Sequence, residues 1–342
     1  MRRFAHLDWP FLEPRHKQLA LDVDAWAREH LVGEHNGDAN TACREYVRGF
    51  GRAGWLKHVV GGREYGGEAD RIDARSLCVM RETLGYHSGL AEFALAMQGL
   101  GSGAISLFGT PEQKAKYLPR IVKGEAIAAF ALSEPNAGSD AAAVQCEATR
   151  DGDHYVLNGE KSWISNAGIA NFYIVFARTG EAAGARGISA FAVDAQDDGL
   201  TVGEPLELIA EHPIAGLRFN GCRIPAAQRI GEAGQGFKIA MAVLDIFRAS
   251  VAAAALGFAR RALDEALGRA ISREMFGQKL SDFQLTQAKV AEMATAIDSA
   301  ALLTYRAAWL HDREVRATVE AAMAKMTATE NAQRVIDAAV QM

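Results

Sequence analysis

From Phe237 to Phe276 the chain reads FKIAMAVLDIFRASVAAAALGFARRALDEALGRAISREMF, without a proline and with only Gly257 and Gly268 as weak helix formers. Alanine and leucine dominate, and both favour the helix strongly. A helix this long and this apolar must bury a stripe against partners, because water gives it too little support alone. Two more helical stretches follow, DFQLTQAKVAEMATAIDSAALLTYRAAWLHD and EVRATVEAAMAKMTATENAQRVIDAAVQM. Ser281 or Asp282 reads as the N-cap of the first. Gly277 reads as the glycine that stops the long helix. The pattern predicts a C-terminal bundle.

The rest of the chain has two textures. From about Glu13 to Glu125 it is helical. PRHKQLALDVDAWAREHL puts Leu19, Leu21, Val23, Trp26 and Leu31 at mostly helical spacing. Thr110 reads as an N-cap, Pro111 as the first helical residue, and Pro119 as the end or a kink of that helix. From about Ala126 to Arg229 the segments are short, β-branched or aromatic, and broken by Gly, Asn and Asp. Four or more strands fit, and Asn158-Gly159 reads as a hairpin turn. The expected class is α+β, mainly α: an N-terminal helical domain (1–125), a middle antiparallel β domain (126–229) and a C-terminal four-helix bundle (230–342).

Composition narrows the partners. Net charge is -5, and 49% of residues are hydrophobic and 23% charged. No basic stripe predicts a nucleic-acid surface. No apolar run is expected to reach the length of a membrane span. MRRFAHLDWPFLEPRHKQ has no apolar signal core and carries Asp8 and Glu13, so a cytoplasmic protein is expected. Cys43, Cys78, Cys146 and Cys222 form no C-x-x-C pair and read as small buried residues. Glu13-x-x-His16 is the single motif of its kind, Pro14 interrupts it, and no metal site is expected. GLGSGA (Gly99–Ala104) matches a dinucleotide fingerprint but follows a helix-like run. It reads as a small-residue turn or a close helix contact.

Two features carry more chemistry. In FALSEPNAGSD (Phe130–Asp140) an apolar run stops at Ser133-Glu134, then a proline, Gly138, Ser139 and Asp140 follow. Gly138 allows close approaches that a side chain would block. Asp245 and Arg248 lie at i and i+3 in a stripe that is nearly all Ala, Val, Leu and Ile. They read as an intrahelical ion pair worth a few tenths of a kcal/mol, or as a pair facing a polar ligand. The rarity of buried charge favours the ligand.

These pieces, in this order, resemble the acyl-CoA dehydrogenase family. FALSEPNAGSD and NGEKSWISNAG look like its two signatures around the β domain. GEAGQGFKIAMAVLDIFRASVAAAALGFARRALDEA and SREMFGQKLSDFQ are similar to the opening of its C-terminal bundle. The likeness runs from about Met80 to Met342. It implies FAD as cofactor, with Phe130, Leu132 and Ser133 lining the flavin, Trp163 packing on it and Ser165 near its reactive nitrogen. Ser139, Asp245 and Arg248 match positions on the CoA portion of the substrate. Arg273, Phe276, Gln284 and Gln341 match positions that hold a neighbouring subunit's FAD, which implies a homo-oligomer, a dimer or a dimer of dimers.

The reaction so implied is α,β-dehydrogenation of an acyl-CoA, with electrons passed to an electron-transfer flavoprotein. The family's base is a Glu beyond the last helix, so the likeness puts it past Met342 and assigns no catalytic residue within 1–342. Some members carry the base just before the arginine matching Arg248, and here that position is Phe247. LELIAEHPIAGLRFNGCRIP lacks the family's glycine-arginine-serine-threonine run. The alternatives are a flavin monooxygenase or oxidase on the same fold, and a non-catalytic FAD- or acyl-CoA-binding subunit.

Overall fold

The computed structural model describes residues 4–31 and 38–342. Among them are eight α-helices, and 58% of the described residues are helical when short 3-10 turns are included. The helices are α1 (Pro14–His30), α2 (Ala39–Ala53), α3 (Ala74–His87), α4 (Gly89–Phe108) and α5 (Pro111–Val122), then α6 (Gly236–Ser272), α7 (Gln284–Asp312) and α8 (Thr318–Val340). Between the two sets lie β1 (Ala128–Ala131), β2 (Glu147–Asp151), β3 (His154–Ser165), β4 (Phe172–Arg178), β5 (Ile188–Asp194), β6 (Leu200–Pro205), β7 (Ile214–Pro225) and β8 (Arg229–Ile230). A short hairpin, β9 (Glu274–Met275) and β10 (Gln278–Lys279), separates α6 from α7. The helical, β, helical order is the expected one.

Residues group into two compact units. The first comprises residues 1–34, 73–92 and 245–342. Its core is alanine-rich and draws on α1 (Ala20), α3 (Cys78), α6 (Ala252, Leu256), α7 (Ile297, Tyr305) and α8 (Ala328, Val335). The C-terminal zone therefore supplies three helices of the bundle, and α1 and α3 pack with them. Gly257 explains itself here: a Cβ on it would lie 2.3 Å from the Glu82 carbonyl oxygen, so α3 and α6 cross closely only because the side chain is absent. Glu82 is buried with Arg260, whose Nε donates to Oε1 at 2.6 Å; Tyr305 donates to Oε2, and His6 Nε2 lies 3.1 Å from Oε1.

The second unit comprises residues 35–72 and 93–244. Its eight-stranded sheet runs β6-β7-β3-β2-β4-β5-β8, with β1 beside β4. Most pairs are antiparallel, as expected, but β1 and β2 meet β4 in parallel. The β2–β3 hairpin lies between β1 and β4 in sequence, so the chain enters β4 heading the same way as β1.

Several local expectations need correction. Asn158-Gly159 is not a hairpin turn; β3 runs through it, and the β2–β3 reversal falls at Gly152, which takes φ +62°. Gly159 is required for another reason, since a Cβ there would lie 2.8 Å from the Cys146 Cα. Pro119 does not end its helix, which continues to Val122, whereas Thr110 and Gln113 form the expected capping box. Ser281 and Asp282 do not cap α7; they form a 3-10 turn, in which Asp282 accepts from the Lys279 N–H. Gly277 does not stop α6. It follows Phe276 in the two-residue turn between β9 and β10, both at positive φ, a conformation suited to a twisted hairpin.

Two helices do reach the length and apolarity of a membrane span, contrary to expectation: α4 and α6. Their most apolar windows are 78% and 67% buried, so most of that surface is covered within the protein. GLGSGA lies wholly inside α4, as a close helix contact: a Cβ on Gly101 would lie 2.6 Å from the Ala128 Cβ. All four cysteines are buried and free. Leu21 of the predicted α1 stripe is 43% exposed, and His16 and Asp24 are buried instead.

Candidate functional site

In the sheet-bearing unit, β1 ends at Ala131, and the chain turns tightly at once. Glu134 and Ala137 exchange backbone hydrogen bonds, each at 3.1 Å, around Pro135 and Asn136. Proline pre-sets the backbone for this position and has no N–H to lose. The Ser162 N–H donates to the Ser133 carbonyl at 2.9 Å, which ties the turn to β3.

A buried ion pair reinforces that tie. Lys161 Nζ donates to Glu134 Oε1 at 2.7 Å and to the Leu132 carbonyl at 3.1 Å. The same carboxylate accepts the N–H groups of Gln145 (2.6 Å) and Cys146 (3.0 Å). Burial pushes the Lys161 ammonium below its ordinary value, and the Glu134 carboxylate opposes this. Sequence reasoning missed both residues. The one signal was a lysine in an otherwise strand-like run, directly after Gly159-Glu160.

The register of β3 against β7 breaks between Lys161 and Ile164: Lys161 faces Leu217 and Ile164 faces Ala215. Ser162 and Trp163 thus oppose the single Gly216, which is a bulge. Bulges re-aim side chains. Here Trp163 takes φ +55° and is 57% exposed. A bulky residue in the left-handed region is strained, so the exposure is built in.

The predicted residues of this unit gather around that bulge and turn. Phe130 is half-buried on β1, with its ring 4.9 Å from that of Phe176. Leu132 is buried and Ser133 half-buried. Ser165 is half-buried and pairs with Ile214 of β7. Ser139 is exposed farther along the turn. A Cβ on Gly138 would meet no atom within 4 Å among the described residues, its chain neighbours aside, so none of them makes the close approach expected there.

The remaining predicted residues belong to the helical unit. Arg248 and Asp245 form the ion pair at 2.9 Å, and both are half-buried. The other Asp245 oxygen accepts the Thr318 hydroxyl at 2.9 Å. Arg273 precedes β9 and donates to the Met342 carbonyl at 3.4 Å, which brings it beside Gln341. Gln284 opens α7, and all of Arg273, Phe276, Gln284 and Gln341 are exposed. Phe276 takes φ +52° and is 87% exposed. Ile271, Leu285 and Val340, on the same or adjoining elements, are exposed at 58%, 86% and 84%. Phe247 is buried on α6.

Comparison with known proteins adds three kinds of match. Residues 13–125, 129–222 and 234–342 match the N-terminal, middle and C-terminal domains described as acyl-CoA dehydrogenase. The human mitochondrial short-chain specific acyl-CoA dehydrogenase is 46% identical over 242 residues, 70% of this chain and 59% of that protein. The chain thus spans under two thirds of that relative. The solved butyryl-CoA dehydrogenase from Megasphaera elsdenii superposes with a TM-score of 0.89 at 34% identity, over 96% of this chain and 88% of that one. The prolyl acyl carrier protein oxidase AnaB superposes with a TM-score of 0.88 at 29% identity, over 96% and 88%.

Proposed function

Because the chain belongs to the acyl-CoA dehydrogenase family, we propose that it removes hydrogen from Cα and Cβ of an acyl-CoA thioester and delivers the electrons to an electron-transfer flavoprotein. Acyl-CoA dehydrogenases depend on FAD. The residues present fit that group. A flavin needs a flat apolar slot and a few donors at its polar edge. Trp163, held exposed by its bulge, offers the flat face, and Leu132 an apolar side chain on the turn tied to the same strand. The hydroxyls of Ser133 and Ser165 offer the donors. FAD, when bound, supplies the acceptor for the hydride leaving Cβ.

The observation that carries the reading is Trp163: a strained, exposed aromatic on a rigid sheet, tied to the Ser133 turn by the buried Lys161–Glu134 pair. The chain's own residues do the rest. Ser139, Asp245 and Arg248 bind the CoA portion. The Asp245–Arg248 pair orients rather than reacts, because each partner already neutralises the other. Phe247 takes no proton, so no base is assigned within residues 1–342. Arg273, Phe276, Gln284 and Gln341 hold the FAD of a neighbouring copy. The exposed Ile271, Leu285 and Val340 around them support a dimer or a dimer of dimers, since apolar patches of this kind mark interfaces.

Two measurements test the reading. FAD added to the purified protein should give a flavin spectrum displaced from that of free FAD, and Trp163→Ala with Ser165→Ala should release the cofactor. Wild-type protein without FAD affinity at micromolar concentration would sink it. Second, Phe247→Glu should raise turnover on acyl-CoAs, because a placed general base contributes a factor of about 10²–10⁴. No gain in any chain-length class, from the 342-residue variant with unchanged far-UV circular dichroism, would mean position 247 does not face the reacting carbon.

A second reading has two observations behind it. The likeness to a prolyl acyl carrier protein oxidase, together with the LELIAEHP stretch in place of the family's run, favours an oxidase on this fold. Rapid oxygen consumption by the reduced protein, with no response to acyl-CoA, would select it.

A further inference from the structure

A cleft of about 250 Å³ opens in the sheet-bearing unit, between α2 and the loops around Gly124–Ile127 and Gly168–Asn171. Arg44 and Arg48 wall one side. They stand at i and i+4, so both guanidinium groups share one face of the helix. Like charges at that spacing repel and weaken a helix unless something neutralises them. Arg44 spends one donor on the Gly168 carbonyl at 3.3 Å. Arg48 makes no hydrogen bond or ion pair among the described residues.

The backbone N–H groups of the cleft floor are already engaged, that of Gly168 with the Tyr173 hydroxyl at 3.4 Å. The N–H groups of Gly124 and Glu125 go to the carbonyls of Ile121 and Arg120, and those of Ile169 and Ala170 to the Asn166 carbonyl. Ile127 N–H donates to Asn171 Oδ1 at 2.8 Å, and Asn171 N–H to the Ile127 carbonyl at 2.7 Å. That bond fixes the Asn171 amide, and its Nδ2 has no acceptor among the described residues. The two guanidinium groups and one amide of the lining therefore have donors to spare, and the single carboxylate on the wall, Glu125, is exposed.

We infer that this cleft binds a small, doubly charged oxyanion, either a phosphate group or a dicarboxylate. Planar guanidinium forks match the oxygen geometry of both. The volume lies below the 300–1,000 Å³ usual for drug-sized ligands, which favours a small anion over a whole nucleotide. The site uses none of the residues assigned to FAD or acyl-CoA.

Titration calorimetry on the FAD-saturated 342-residue protein at low ionic strength tests this, with inorganic phosphate and succinate as probes. Saturating FAD keeps phosphate from the cofactor's own phosphate positions. One anion per chain should bind. Arg48→Ala and the double variant Arg44→Ala/Arg48→Ala should weaken it by about tenfold or more, the size expected for hydrogen bonds to charged groups. Glu125→Gln should tighten it, because it removes a like charge while both arginines stay. Unchanged far-UV circular dichroism would confirm that each variant folds. Tighter phosphate identifies a phosphate-bearing ligand, and tighter succinate a dicarboxylate. Absence of saturation by either anion, or equal affinity in wild type and the double variant, overturns the site.

Discussion

Phe276 occupies the left-handed region at φ +52° in a two-residue turn, where a side chain costs about 1–2 kcal/mol relative to glycine. Its ring is 87% exposed, so it returns little packing within this chain. Phe276→Gly should therefore raise unfolding stability by about 1 kcal/mol, read as a higher urea midpoint, while FAD dissociates faster. Loss of stability would mean that the ring packs at home and does not serve a neighbour's cofactor. Lys161 is the opposite case, a charge satisfied inside. Lys161→Met leaves the Glu134 carboxylate buried without its cation and should cost about 3–5 kcal/mol. Adding Glu134→Gln should recover part of that loss, and a double variant as unstable as the single would show that the two residues do not act as a pair.

Two glycines of the long helix α6 separate propensity from packing. In isolation either Gly→Ala change favours the helix by about 1 kcal/mol. Gly268 is exposed, and a Cβ on it meets nothing within 4 Å, so Gly268→Ala should stabilise by about that amount. Gly257 faces the Glu82 carbonyl at 2.3 Å, so Gly257→Ala should destabilise instead. Equal signs in thermal melts would contradict the close crossing of α3 and α6. The same crossing holds Glu82. Burial alone would raise its carboxyl, but His6 and the Arg260 guanidinium, with the Tyr305 hydroxyl, outweigh burial and hold it well below the usual 4.5. A carboxyl lowered by folding adds stability that is complete above its unfolded value of 4.5 and is lost as pH falls through the folded value. Unfolding free energy should thus decline steadily below pH 4.5. Glu82→Gln should be less stable at pH 7 yet show a shallower decline in acid.

At the scale of the whole molecule, cofactor and assembly are linked if one copy completes another's FAD site. A ligand that binds only the assembled form stabilises it by mass action, about 2.7 kcal/mol at a hundredfold excess over Kd. The midpoint of thermal unfolding should rise with FAD and, at fixed FAD, with protein concentration. Sedimentation should show dissociation on removing FAD. A dilute single copy that holds FAD as tightly as the oligomer would refute the shared site.

The sequence alone carried the order of helical and β zones, because periodicity and the Gly, Asn and Pro breaks act over a few residues. It carried the Thr110–Gln113 box for the same reason: cap and partner are three positions apart. Trp163, Ser133 and Ser165 were legible as a set only through motif likeness, since no local rule marks a flavin face. Folding in three dimensions settled what depends on remote neighbours. Asn158-Gly159 has the composition of a turn, yet β7 pairs across it and Cys146 fills the space a Cβ would need. Gly277 has the composition of a helix stop, yet the pairing of Gln278 with Met275 makes it a hairpin residue. Lys161 is only a lysine in a strand-like run until Glu134, distant in sequence, meets it in the core. In each case a local preference of about 1 kcal/mol yields to partners remote from the residue itself, through burial at Lys161, the close approach of Cys146 at Gly159 and strand pairing around Gly277.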